Sequence, residues 1–212
     1  QLSTLLLLDM SGSMVAAGLV DDLQEATVAF IERMGTEHEI AIYTFDGRAE
    51  ISLLVGFTQN ATDLNAGIAS LTDYEAVDTS TNLNGAILSG VEVLDGESIA
   101  HADKLFGGTL AVFTDGKDQA GRVEDTVAVS AASGTEHAVY TIGLGGEIDE
   151  EHLGAVGTSG AFFAEDVATL SSAFDEVAES ILNEANSLFI LAYCSPKRAG
   201  THELRLELNG AG

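Results

Sequence analysis

The feature that most constrains the fold is the alternation of short apolar runs with segments whose apolar residues recur at helical spacing. Residues 5–8 and 110–113 are continuous apolar runs, which are typical of strands buried on both faces of a parallel sheet. Residues 83–94 instead repeat apolar side chains every three or four positions, as the buried face of a helix does. The pattern predicts an α/β fold, a doubly wound and mostly parallel sheet with helices on both faces.

The same pattern predicts the individual elements. The predicted strands cover residues 4–8, 39–45, 48–57, 108–114, 137–142 and 161–164. The predicted helices cover residues 60–71, 83–94, 123–132, 149–156 and 167–182, and a further helix follows a cap at Asp21 and reaches Met34. Asp46 and Gly47 give a turn signal between 39–45 and 48–57, which predicts an antiparallel hairpin at one edge of the sheet.

The C-terminal tail has a different pattern. Residues 188–194 and 201–208 are strand-like runs that predict a β-hairpin. We therefore expect a main domain over 1–184 and, over 185–212, a hairpin appendage or the start of a neighbouring domain. Cys194 is the only cysteine, so it is either a structural thiol or half of a disulfide with a region outside this sequence.

The charge balance excludes several classes of partner. The chain carries 34 acidic and 8 basic side chains, a formal net charge of −26. Nucleic acids and anionic membrane surfaces bind clusters of Lys and Arg, so neither is an expected partner. No apolar stretch approaches the roughly 20 residues of a transmembrane helix, so we expect no membrane insertion. The opening residues lack the basic segment of a signal peptide, so we expect a trimmed piece of a longer protein.

Polar side chains cluster where two of the predicted strands end. Asp9, Ser11 and Ser13 follow the first strand, and Asp115 follows the strand over 108–114. Ligands of open α/β sheets bind beyond the carboxyl ends of the strands, so we expect these side chains to converge there. Thr81, just ahead of the helix over 83–94, offers a further hydroxyl.

Two carboxylates and three hydroxyls form an all-oxygen set of donors. Such a set suits Mg²⁺, Mn²⁺ or Ca²⁺ rather than zinc or copper. Two negative ligands offset a divalent ion and the hydroxyls are neutral, so the ion retains attraction for one more anionic oxygen. A carboxylate of a partner protein would supply that oxygen.

These motifs resemble the metal-ion-dependent adhesion site of the von Willebrand factor type A domain family. The Asp-x-Ser-x-Ser motif corresponds to Asp9, Ser11 and Ser13, the loop threonine to Thr81, and the later Asp-Gly to Asp115. The resemblance implies a sheet with one antiparallel edge strand and a bound divalent cation, Mg²⁺ first, with Mn²⁺ or Ca²⁺ as alternatives. It also implies non-catalytic, adhesion-type binding of an acidic residue of a partner protein.

The resemblance carries further expectations about context. The last helix of such domains can shift with the metal site, which makes residues 167–182 a candidate switch. The tail resembles extensions of larger bacterial proteins, so we expect an extracellular or cell-surface location and neighbouring domains in a longer chain. The family often has Gly where this sequence has Thr79, so Thr79 or Ser80 is an alternative ligand to Thr81. The acidic loop over 72–81 is either solvated, or holds another cation, or faces a basic partner.

Two other functions stay open at the level of sequence. The first is a Mg²⁺-dependent, phosphatase-like hydrolase with Asp9 as nucleophile. Haloacid-dehalogenase-like phosphatases need a second Asp two residues later, where this chain has Ser11. The second alternative is a purely structural domain that serves assembly with its neighbours.

Overall fold

The computed structural model describes residues 1–36 and 38–186. Its strands are β1 (Leu2–Asp9), β2 (Glu39–Phe45), β3 (Ser52–Thr58), β4 (Gly107–Thr114), β5 (Ala138–Leu144) and β6 (Gly160–Ala164). Its helices are α1 (Gly12–Ala16), α2 (Val20–Met34), α3 (Ala61–Ala69), α4 (Leu83–Ala100), α5 (Asp125–Gly134), α6 (Glu150–Val156) and α7 (Val167–Asn186). A 3₁₀ turn over Ser70–Asp73 follows α3.

The strands form one six-stranded sheet in the order β3-β2-β1-β4-β5-β6. Every pair is parallel except β2 with β3, which is antiparallel at the edge. β1 thus lies in the middle of the sheet. β2 and β3 extend the sheet on one side of β1, and β4, β5 and β6 extend it on the other. The predicted fold, a doubly wound and mostly parallel sheet with one antiparallel edge strand, is confirmed.

Both faces of the central strand β1 are buried, which explains its continuous apolar run. Leu6 and Leu8 face a core closed by α2, α3 and α7. Leu5 and Leu7 face a second core closed by α4, α5 and α6. All four leucines are at most 1% exposed, so a polar substitution on either face of β1 would enter a core.

Two details of the predicted elements are wrong, and one helix is additional to them. Asp21 is not a cap, because α2 begins at Val20 and places Asp21 in its first turn. The additional helix is α1, which forms over Gly12–Ala16 shortly after Asp9. The third strand begins at Ser52 rather than at residue 48, because the backbone N–H and the guanidinium of Arg48 both bind the buried Asp46 carboxylate in the preceding loop.

The predicted C-terminal hairpin over 188–194 and 201–208, together with Cys194, lies outside the described residues. Within the described residues, none of the helices combines the length and the apolar character needed to cross a membrane.

Two glycines of α4 provide a test of how the helix packs on the sheet. A Cβ on Gly90 would lie 2.8 Å from Leu110 Cδ1 and 2.9 Å from Leu7 Cδ1, whereas a Cβ on Gly96 meets nothing within 4 Å. We expect Gly90→Ala to lower the free energy of unfolding by about 1–2 kcal/mol through overpacking. Gly96→Ala should raise it by up to about 1 kcal/mol through helix propensity. Urea unfolding of both variants checks the pair, and equal effects would contradict the packing described.

Candidate functional site

The candidate site lies at the carboxyl ends of the neighbouring strands β1 and β4. Asp9 is the last residue of β1, and Asp115 directly follows β4. Since β1 pairs with β4 in parallel, the two carboxylates emerge at the same edge of the sheet. Ser11 directly precedes α1 and Ser13 lies in its first turn, so both serines lie close to the end of β1.

A continuous set of hydrogen bonds joins four of the five expected ligands. The Ser11 backbone N–H donates to Asp9 Oδ1 at 2.9 Å. The hydroxyl oxygens of Ser11 and Ser13 are 3.1 Å apart, and Ser13 Oγ donates to Asp115 Oδ1 at 2.9 Å. The fold therefore brings together side chains that are 102 residues apart in the chain.

Thr81 is tied to the same region through its backbone. Its carbonyl accepts hydrogen bonds from the N–H groups of Gln119 and Ala120, at 2.8 and 3.0 Å, in the loop that follows Asp115. Thr81 is also buried, with only 1% of its surface exposed. Thr81 thus sits beside the Asp115 loop, although no hydrogen bond of its hydroxyl joins it to the other four residues.

The two alternative loop residues are placed differently. The Ser80 hydroxyl donates to Asp78 Oδ1 at 2.8 Å, so it is engaged within its own loop. The Thr79 carbonyl accepts the Gly12 N–H at 3.0 Å, and Thr79 is exposed. A Cβ on Gly12 would lie 2.7 Å from Thr79 Cβ and 3.0 Å from its carbonyl oxygen. Gly12 is therefore the residue that allows the two loops to pack together.

Thr114, which is not among the predicted site residues, binds the other carboxylate oxygen of Asp9. Thr114 is fully buried, and its hydroxyl donates to Asp9 Oδ2 at 2.6 Å. The available signal was a polar residue at the end of an otherwise apolar strand. That signal gives no partner, because the partner lies 105 residues away in the chain.

Asp46, interpreted from the sequence as part of a turn, is a second buried carboxylate near the site. It binds the Arg48 guanidinium at 2.9 and 3.0 Å, and its carbonyl accepts the Asn82 N–H at 3.0 Å. Arg122 donates to the Gly47 carbonyl at 2.8 Å. Asp46 therefore fastens the β2–β3 connection to the segment that carries Thr81.

Burial affects the pKa of both candidate carboxylates. Burial raises the pKa of Asp9 from its ordinary 3.8 to about 7, against the lowering effect of hydrogen bonds from Thr114 and Ser11, and the charge of Asp115 adds to the rise. Burial also raises the pKa of Asp115, and the hydrogen bond from Ser13 opposes it. Within residues 1–36 and 38–186, no ion pair joins Asp9 or Asp115 to a basic side chain. A nearby cation would favour the ionised form of both.

The spacing of the oxygens fits a small divalent ion. Adjacent ligands of an octahedral Mg²⁺, bonded at about 2.1 Å, are separated by about 3.0 Å. The oxygen pairs Ser11–Ser13 and Ser13–Asp115 are separated by 3.1 and 2.9 Å. Among the described residues, no three His, Cys, Asp or Glu side chains are grouped to hold a metal. An ion at this edge would therefore depend on the serine hydroxyls as well as on the two carboxylates.

A known family matches more than half of the chain. The model of the von Willebrand factor type A domain matches residues 4–117. The chain belongs to the von Willebrand factor type A domain family. Domains of this family typically mediate protein–protein interactions, and some members carry a metal site. No curated protein matches this chain.

Solved von Willebrand A-type structures share the fold at low identity. A von Willebrand factor type A protein from Catenulispora acidiphila is 17% identical with a TM-score of 0.69, covering 85% of this chain and 43% of that protein. Proximal thread matrix protein 1 of the mussel byssus, with a zinc-occupied metal site, is 15% identical with a TM-score of 0.68, covering 84% and 45%. The corresponding domain of the pili tip protein Mfa5 from Porphyromonas gingivalis is 13% identical with a TM-score of 0.66, covering 91% and 98%. The chain thus spans less than half of the first two proteins.

The raised pKa of Asp9 predicts a pH-dependent stability in metal-free buffer. The folded state binds the Asp9 proton more tightly than the unfolded chain does. The stabilisation is therefore complete below pH 3.8 and is lost as the pH rises through about 7. Relative to Asp9→Asn, the wild type should lose about 1.4 kcal/mol of unfolding free energy per pH unit between pH 5 and 7. Urea unfolding of both proteins measures this difference, and parallel pH profiles would show that Asp9 titrates normally.

Proposed function

We propose that this von Willebrand A-type domain is a non-catalytic, divalent-cation-dependent protein-binding module. The metal ligands are Asp9, Ser11, Ser13, Thr81 and Asp115. The observation that carries the proposal is the connected set of two carboxylates and two serine hydroxyls at one sheet edge. The raised pKa values of both carboxylates support a cation as the missing positive charge.

The donor set favours Mg²⁺, with Mn²⁺ and Ca²⁺ as alternatives. Carboxylate and hydroxyl oxygens are hard ligands, which magnesium and calcium prefer. The zinc of the mussel protein is reported for that relative, and it makes zinc a necessary comparison in any binding assay.

A carboxylate of a partner protein completes the coordination of the ion in this proposal. The two aspartates offset the charge of a divalent ion, so a third anionic oxygen is still attracted. The likeness to a pili tip protein supports adhesion at a cell surface or outside the cell. The partial coverage of the larger relatives supports neighbouring domains in a longer chain.

The residue two positions after Asp9 argues against the hydrolase alternative. Haloacid-dehalogenase-like phosphatases need a second Asp there as acid/base, and this chain has Ser11, whose hydroxyl cannot do the same proton transfer near neutral pH. A purely structural assembly domain is the remaining alternative, and it requires no response of the fold or of binding to metal.

Loop packing supports Thr81 rather than Thr79 or Ser80 as the loop ligand. Thr81 is buried and bonded through its backbone to the Asp115 loop. The Ser80 hydroxyl is occupied by Asp78, and the Thr79 backbone packs against Gly12. Only Thr81 therefore combines burial with a backbone link to the loop after Asp115.

Thermal unfolding tests the metal site. A cation at 100 times its dissociation constant stabilises a folded protein by about 2.7 kcal/mol. That corresponds to a rise in Tm of about 5–10 °C for a chain of this size. We expect Mg²⁺ or Mn²⁺, added after chelation, to raise the Tm of the wild type and to leave that of Asp115→Ala unchanged.

Asp103→Ala is the matched control, because it removes an exposed carboxylate outside the site. It should respond to the cation like the wild type. An equal rise in all three proteins would mean that the ion screens the acidic surface. No rise in the wild type would remove the main support for the metal site.

Three hydroxyl deletions identify the loop ligand. We expect Thr81→Val to weaken Mg²⁺ binding at least about tenfold, the lower range found for residues that support metal ligands. Thr79→Val and Ser80→Ala should change the affinity less than about twofold. Isothermal titration with MgCl₂ measures all three, and a loss confined to Thr79→Val or Ser80→Ala would reassign the ligand.

A further inference from the structure

A small cavity opens directly beside Asp115. Its volume is about 250 Å³, and its walls include Leu19, Leu144 and Val167 as well as Asp115. Leu144 ends β5, which pairs with β4, so it lies next to the strand from which Asp115 emerges. Leu19 directly precedes α2, and Val167 begins α7. Three separate connections thus place apolar side chains next to one candidate metal ligand.

Two glycines, Gly145 and Gly146, line this cavity. Gly145 has a φ of +79°, a left-handed conformation that favours glycine. Its N–H donates to the Ala164 carbonyl at 2.9 Å, which joins the ends of β5 and β6. A Cβ on either glycine would meet nothing within 4 Å, so no other part of the described chain packs against this side of the connection.

The rim of the cavity is acidic. Glu147, Glu165 and Asp166 line it and are exposed. The Asp166 carboxylate accepts the Thr169 N–H at 3.1 Å, which holds it at the start of α7. No ion pair within the described residues involves Glu147 or Glu165. The surface beside Asp115 therefore combines an apolar floor with a negative edge.

We propose that this cavity, the rim cavity, selects which protein segments the metal binds. The segment places a carboxylate on the metal, an adjacent apolar side chain in the rim cavity, and a Lys or Arg against Glu147 and Glu165. The inference rests on the proposed metal-dependent binding, and it names the class of partner: an extended segment that carries both signs of charge.

Size and charge support this occupant. Pockets for small organic ligands measure about 300–1,000 Å³, so about 250 Å³ fits a single apolar side chain better than a free small molecule. A domain with a net charge of −26 repels a purely acidic segment at long range. A basic residue next to the metal-binding carboxylate turns that repulsion into local attraction at the rim.

Peptide selection tests the class of partner. Random peptides displayed on phage are captured by the wild type in MgCl₂ and eluted with EDTA. We expect the eluted peptides to combine an acidic residue with neighbouring apolar and basic residues. Enrichment of acidic residues alone would overturn the role of the rim cavity and leave the metal bridge intact. No enrichment in the EDTA eluate would overturn the metal bridge, and the present proposal with it.

A double-mutant cycle with the strongest selected peptide tests the rim directly. Glu147→Gln/Glu165→Gln should weaken binding by up to about fivefold for each ion pair lost at low salt. The loss should disappear when the basic residue of the peptide is replaced by Gln, or when the salt concentration is high. If the affinity of the wild-type domain for the unmodified peptide rose with the salt concentration, that result would contradict the proposal.

Glu32→Gln/Glu92→Gln is the matched control, because it removes two exposed charges from α2 and α4 and leaves the rim intact. Both double variants should bind Mg²⁺ alone as the wild type does. Equal weakening of peptide binding by the two double variants would assign the effect to overall charge and overturn the role of the rim.

Discussion

The candidate site is built around two carboxylates that lie side by side at the ends of the two central strands. Asp9 is withdrawn from water, and an ionised carboxylate there is costly unless hydrogen bonds and a positive charge compensate. Ser11 and Thr114 each donate one hydrogen bond to it, while the neighbouring charge of Asp115 acts against it. Within the described residues, no basic side chain pairs with Asp9 or Asp115, so in the proposed function a divalent cation supplies the balancing charge.

Several residues that are not candidate metal ligands hold the loops around this pair in place. Gly12 permits the first loop to lie against Thr79, and the buried Asp46 joins the β2–β3 connection to Asn82. The Asp118 carboxylate accepts the Asn84 N–H at the start of α4. These contacts hold the Thr81 segment beside the Asp115 loop, so the geometry of the site is shared among three connections.

Two basic residues of this acidic domain are used within the fold. Arg48 and Arg122, two of the few basic residues, hold the loops around Asp46 and Asp78. They are therefore engaged in the fold itself. In the proposed function, recognition of a partner relies on the metal, on apolar contact and on positive charges that the partner brings. That proposal reconciles a strongly negative domain with the capture of a carboxylate, because the local charge of the bound segment would matter more than its net charge.

The pattern of apolar and polar residues predicted the fold class, the central strands and the four residues that meet at the sheet edge. Strands buried on both faces are continuous apolar runs, and the ends of parallel strands share one edge, so Asp9 and Asp115 could be placed together in advance. The short helix α1, the partners of Thr114 and Asp46, and the rim cavity become visible only in the packed fold. A helix of five residues is too short to show a period, and the contacts of Thr114, Asp46 and Leu144 join segments far apart in the chain. Local patterns predict the elements, whereas such contacts exist only once the elements have packed.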